Sequence, residues 1–120
     1  MTTATARNYI SRFAPPLALM GLIYFLSAQS DLNSGLGTID LIGRKIIHAA
    51  EYGLLFGLWW RAFNWRWPLA AAAIAIVWAA SDEFHQLSVA GRNGSPIDVA
   101  IDSAGVLIAY LLIRWRRQAA

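Results

Sequence analysis

The stretch "WPLAAAAIAIVWAASDEFHQ" (residues 67–86) decides how this chain is read, because it changes character within one helix length. Its first fourteen residues are almost wholly apolar, and Asp82, Glu83, His85 and Gln86 then crowd into little more than one turn. A helix that is hydrophobic on nearly every face is buried in a large protein or lies in lipid. At 120 residues the chain is too short to bury such a helix in a large soluble core.

Three further segments share this pattern, and the expected helices lie near 14–30, 41–63, 67–86 and 96–115. Hydrophobic residues make up 58% of the chain and charged residues 14%. A soluble domain carries about 25% charge, so the composition points to lipid as solvent. The expected fold is therefore all-α: one domain over residues 1–120, an integral bundle of four transmembrane helices. A soluble bundle is the competing reading. The first segment also has the look of a signal peptide, since Arg7 and Arg12 precede an apolar core at Leu17–Leu26. With no cysteine there are no disulfides or thiolate metal sites. The basic pI of about 9.8 does not imply nucleic acid, because the basic residues sit at segment ends and form no stripe.

The charges orient the bundle. With the N-terminus in the cytoplasm, Arg7, Arg12, Arg61, Arg66, Arg114, Arg116 and Arg117 fall inside, and only Arg44, Lys45 and Arg92 fall outside. Asp31, Asp40, Glu51, Asp82, Glu83, Asp98 and Asp102 all fall at or toward the outer side. Trp59, Trp60, Trp65, Trp67 and Trp115 would form an aromatic belt at the inner interface. Both termini are thus expected to be cytoplasmic, in a multi-pass protein of the cell membrane. Asp40 is a cap candidate for the second helix. Ser95, Pro96 and Asp98 make a capping pattern at the start of the fourth. "SVAGRNGS" (88–95) reads as a turn.

Each helix then adds polar residues to the outer end. The first adds Ser27, Gln29 and Asp31, and the second adds Lys45, His48 and Tyr52 at i, i+3, i+7 with Glu51 beside His48. On the third, Asp82, Glu83 and Gln86 share a face, with His85 off it; on the fourth, Asp98 and Asp102 precede a small-residue stripe at Gly105 and Ala109. Glu51 lies about 15 Å along its helix from Asp40, and Asp102 about 9 Å from Pro96, both within hydrocarbon depth. An ionised group there costs a few kcal/mol unless paired or hydrated. Lys45, Arg44 and Arg92 are the expected partners of Asp82, Glu83 or Asp102, with His48 and Tyr52 as hydrogen-bonding intermediaries.

These residues resemble the VanZ-like family, small polytopic membrane proteins named after a teicoplanin-resistance protein. The family's Lys–His–Tyr helix is matched by "RKIIHAAEY", its Asp-Glu-x-x-Gln block and following Arg by "SDEFHQLSVAGR", and its last-helix Asp and Gly by "PIDVAIDSAG". Carried over, the matched positions are Lys45, His48 and Tyr52, then Asp82, Glu83, Gln86 and Arg92, then Asp98 and Gly105. Asp102 stands where the family usually has Asn, and Leu87 follows Gln86 where an aromatic is common. The resemblance implies an integral membrane protein of the cell envelope, with a link to glycopeptide resistance for some members.

Three functions remain open. The first is a binding or modulating protein whose polar pocket holds a lipid headgroup or envelope precursor, with Arg92 and Lys45 as anion hooks. The binding set is then Lys45, His48, Tyr52, Asp82, Glu83, Gln86, Arg92, Asp98 and Asp102. The second is an intramembrane enzyme acting on an ester or phosphoester, with His48 or Glu83 as base and Asp82, Glu51 or Asp102 as partner. The third is a purely structural network. A proton pathway is disfavoured because no acid or His lies in the inner halves of the helices. No nucleophile elbow, P-loop or HExxH spacing is present, so neither a cofactor nor a metal is expected.

Overall fold

The computed structural model describes the backbone of residues 3–27, 38–86 and 96–119. It forms four helices: α1 (Thr3–Ser27), α2 (Thr38–Ala62), α3 (Pro68–Gln86) and α4 (Pro96–Ala119). Among the described residues there is no strand. Gln29, Asp31, Ser95, Arg92 and the 88–95 turn lie outside the described residues, as do the side chains of Ser27, Asp40, Arg44, Glu83, Gln86 and Asp98.

The first helix begins eleven residues before the expected start near Ala14. Pro15 and Pro16 suggest a helix start, because proline is best tolerated in a first turn, yet here both lie inside α1. The twelve helical residues before them are anchored by tertiary contacts at Ser11, Arg12 and Phe13. Arg12 donates to the carbonyl of Ala62 through Nε at 2.9 Å, and Nη2 donates to the same oxygen. Arg61 Nη1 donates to the Ser11 carbonyl at 2.9 Å, and the Phe13 and Trp59 rings meet at 6.2 Å. The Arg12 cation sits on the negative end of the α2 dipole.

The link from α2 to α3 is a tryptophan-rich corner. Trp65 N donates to Trp60 O and Asn64 N to Arg61 O, both at 2.9 Å, with Asn64 left-handed at φ 57°. This is a Schellman termination with asparagine at the left-handed position. Trp65 and Trp67 are also left-handed, at φ 62° and 54°, an expensive conformation for a bulky residue. Ring contacts hold them there: Trp65 meets Trp60 edge-on at 5.6 Å and lies 4.7 Å beneath the Arg117 guanidinium, while Trp67 meets Phe63 at 5.9 Å. Trp67 O caps α3 by accepting from Ala70 N and Ala71 N, and Pro68 opens the helix.

The core is built from unequal partners. Helix α2 supplies Tyr52, Leu55, Phe56 and Trp60, and α3 supplies only Ala71, Ala75 and Ala79. The alanine face lets the aromatic ridge of α2 settle close to the α3 backbone. Helix α4 approaches α2 closer still, because a Cβ added at Gly105 would lie 2.1 Å from the Ala49 carbonyl oxygen. A Cβ at Gly53 would lie 2.9 Å from Gly105 O and 3.4 Å from the Ala109 Cβ. The stripe at Gly105 and Ala109 thus has its counterpart in Ala49, Gly53 and Gly57, a small-xxx-small series on α2.

Among the described residues, no helix is long and apolar enough to cross a membrane. Polar residues interrupt three of the helices: Lys45, His48 and Glu51 lie along α2, Asp98 and Asp102 in the first turns of α4, and α3 ends in Asp82, Glu83, His85 and Gln86.

Candidate functional site

Among the described residues, two carboxylates are buried in the interior of the bundle. Asp82 is 4% exposed and Asp102 3%. Asp82 continues the buried face Ala71–Ala75–Ala79 of α3 by one more turn. Asp102 lies one turn before Gly105 on the face of α4 that meets α2. Between them stands Tyr52 of α2, fully buried, with the carboxylates of Asp82, Asp102 and Glu51 all within electrostatic range of its phenol. Asp82 interacts most strongly with the phenol and is placed to accept its proton, although the Tyr52 hydroxyl falls short of a well-formed hydrogen bond. Three helices thereby converge on one tyrosine.

The cluster extends along α2 toward the helix start. His48 Nδ1 lies 3.9 Å from Glu51 Oε2, and both side chains are about a quarter exposed. The His48 and Tyr52 rings lie nearly parallel, 6.4 Å apart. Glu51 also feels the Asp82 charge. Lys45, half-buried, is one turn before His48 on the same face. Burial therefore grades this end of the bundle, from the half-buried Lys45, His48 and Glu51 to the enclosed Tyr52, Asp82 and Asp102.

Of the residues singled out from sequence, Lys45, His48, Glu51, Tyr52, Asp82 and Asp102 lie along this path. Arg92 and the side chains of Glu83, Gln86 and Asp98 lie outside the described residues. His85 points elsewhere: its ring packs 4.6 Å from Tyr24 of α1, so its geometry serves the α1–α3 contact. Among the described residues, no group of three or more His, Asp or Glu could hold a metal ion.

Arg12, Arg61, Arg114 and Arg117 gather at the opposite end. Arg12 and Arg61 join α1 to α2, Arg117 covers Trp65, and Arg114 Nη1 reaches the Tyr110 hydroxyl at 3.4 Å. The chain thus has an acidic end and an arginine end. Sequence reading missed two structural elements, the Ala49–Gly53–Gly57 seam beside the site and the docking of Arg12 on Ala62 at the other end. The first had a signal in its four-residue spacing. The second had none, since it depends on where α2 ends.

No curated protein and no solved structure matches the chain significantly. The VanZ/LLP1 family profile does match, over residues 3–117, and this span takes in α1 to α3, all but the last two residues of α4, and every residue of the cluster. On that coverage, the chain belongs to the VanZ/LLP1 family.

Proposed function

We propose that the chain is a membrane-embedded four-helix bundle whose acidic end binds a lipid headgroup or cell-envelope precursor, with the arginine end facing the cytoplasm. One observation carries this reading: the polarity of the fold is inverted. Asp82 and Asp102 are buried, while Leu17 and Leu22 of α1, Ile46 and Leu54 of α2, Leu69 and Val77 of α3 and Leu107 and Leu112 of α4 are exposed, Leu69 by 85%. Water would penalise an apolar surface this extensive; lipid tails do not. Helices α2, α3 and α4 approach a span only by taking polar residues inward, where Asp82 and Asp102 meet Tyr52.

A binding role follows from the cost of that cluster. Apolar side chains would pack the three-helix junction with less desolvation, so retaining two buried aspartates points to use of their polarity. The half-buried Lys45, His48 and Glu51 form its polar rim. Family membership makes a link to glycopeptide resistance part of the same reading. A second reading, an intramembrane acid/base enzyme, draws on one feature: His48 faces Glu51 at 3.9 Å at the edge of a carboxylate cluster.

The test is lipid analysis of the protein purified from its own membrane, with Asp82→Asn and His48→Gln beside the parent chain. A stoichiometric headgroup-bearing ligand that disappears in folded Asp82→Asn supports binding. Parent-level ligand and phenotype in both variants would overturn both readings. Orientation is tested by a reporter fused within residues 88–95; activity only in the cytoplasm rules out the proposed topology.

A further inference from the structure

The arginines at the end opposite the acidic cluster fall into two groups. Arg12 and Arg61 direct their donors at the chain itself: Arg12 at the Ala62 carbonyl, Arg61 at the Ser11 carbonyl and hydroxyl. Arg114 and Arg117 do not. Both are exposed, and at i and i+3 they lie on one side of α4. Arg114 Nη1 makes a single long contact, 3.4 Å, to the Tyr110 hydroxyl. Arg117 makes no hydrogen bond with any described residue, and its guanidinium lies 4.7 Å over the Trp65 ring. A guanidinium has five N–H donors, and stacking on a ring leaves those at its edge open.

One aromatic block fixes both side chains. Trp60, buried, stacks on Tyr110 at 5.5 Å and meets Trp65 edge-on at 5.6 Å. Tyr110 carries Arg114 and Trp65 carries Arg117 on this shared support, which lowers the ordering cost for a ligand that bridges them. The two charges stand unneutralised. Among the described residues no carboxylate pairs with either. No Asp or Glu follows Asp102 in the chain, and Asp102 is about 18 Å from Arg114 along α4.

We propose that Arg114 and Arg117 form a site for the phosphate of one anionic phospholipid, in the leaflet at this end of the bundle. The site rests on the membrane placement proposed above and is independent of what the acidic end binds. Two planar forks side by side suit the oxygens of a phosphate, which an ammonium meets only as a point charge. All four cations gathered at this end are arginines, and the one lysine of the chain, Lys45, belongs to the acidic end. A zwitterionic headgroup brings an ammonium that the guanidiniums repel, so a net negative lipid is selected. The bilayer as source follows from the surface that leads to the pair. Leu107, Leu111 and Leu112 of α4 are each more than half exposed, so apolar surface runs along the helix into the arginines. A lipid phosphate stands at such a boundary, with tails on one side and water on the other; free phosphate and nucleic acid do not.

The experiment titrates the full-length protein in mild detergent with phosphatidylglycerol or phosphatidylcholine and counts bound lipids per chain by native mass spectrometry. Arg114→Gln/Arg117→Gln removes both forks, and Arg114→Lys/Arg117→Lys keeps the charge. Arg116→Gln removes one charge from another face of α4. The expected result is one phosphatidylglycerol per chain in the parent, bound about tenfold or more tighter than phosphatidylcholine. That preference falls to about twofold or less in the Gln pair and drops by about fivefold in the Lys pair, while Arg116→Gln keeps it. Circular dichroism checks helicity, and if the Gln pair does not fold, Arg117→Gln alone decides. No headgroup preference in the parent, an undiminished preference in the Lys pair, or an equal loss in Arg116→Gln overturns the site. Displacement of the lipid by millimolar inorganic phosphate does so too, because it assigns the forks to free phosphate. Membrane placement is read separately. A chain that alkaline washing strips from its own membrane overturns that placement, whereas one that stays and shows no headgroup preference overturns the arginine site alone.

Discussion

Replacing Gly105 by alanine adds a single methyl group where α2 and α4 touch through their backbones. The new Cβ would stand 2.1 Å from Ala49 O, 2.7 Å from Ala49 C and 3.0 Å from Ala49 Cα. Ordinary contact begins near 3.4 Å, so the helices must part by about 1 Å, with no flexible side chain to yield in their place. Overpacking of this kind costs about 1–3 kcal/mol, and the rigidity of two helix backbones places Gly105→Ala near the upper end. Parting the helices also draws Asp102 away from Tyr52, one turn along. The control is Gly43→Ala on α2, where an added Cβ meets nothing within 4 Å. Alanine's helix propensity makes that change neutral or favourable by up to about 1 kcal/mol. For a domain of this size the Gly105→Ala cost lowers the melting temperature by about 5–15 °C, measured by circular dichroism in detergent or nanodiscs. A Gly105→Ala protein as stable as the parent, or a Gly43→Ala protein equally damaged, refutes the close α2–α4 crossing.

Other perturbations address other parts of the structure. Asn64→Gly relieves the left-handed position that ends α2 and raises stability by a few tenths of a kcal/mol to about 1, whereas Asn64→Val lowers it by about 1–2; thermal melts distinguish the two. Arg12→Ala removes both donors to the Ala62 carbonyl and costs about 1–2 kcal/mol, with amide exchange rising first at the end of α2. Asp82→Asn keeps the shape of a buried residue and removes its charge, so stability changes by no more than about 1 kcal/mol or improves, while lipid occupancy falls. Tyr52→Phe leaves the ring and deletes a hydroxyl without a well-formed hydrogen bond, at a cost under about 1 kcal/mol. A loss above about 2 kcal/mol would mean that this hydroxyl holds the three helices together.

Four helices were legible because four apolar stretches are separated by turn-forming and charged residues, and helix-period patterning survives in any solvent. The second, third and fourth helices begin within three residues of their expected starts. The first does not, because a proline pair carries the same local signature at a helix start as inside a helix. Contacts fifty residues away, from Arg12 to Ala62 and from Arg61 to Ser11, decide that α1 extends through it. For the site, the i, i+3, i+7 spacing of Lys45, His48 and Tyr52 placed them on one face. Asp82 looked equivalent to Glu83 and Gln86, and only its alignment with Ala71, Ala75 and Ala79 marks it as buried.

Taken alone, the amino-acid sequence determined the helix count, the segregation of most arginines from the acids, and the family motifs, since each depends on residue order and local periodicity. The tertiary structure decided which helices touch. It set the Ala49–Gly53–Gly57 seam against Gly105, enclosed Tyr52 between Asp82 and Asp102, and turned His85 toward Tyr24. The physical reason is that periodicity reports which side of a helix is apolar or small. Which neighbour meets that side depends on backbone approach distances that only the packed bundle defines.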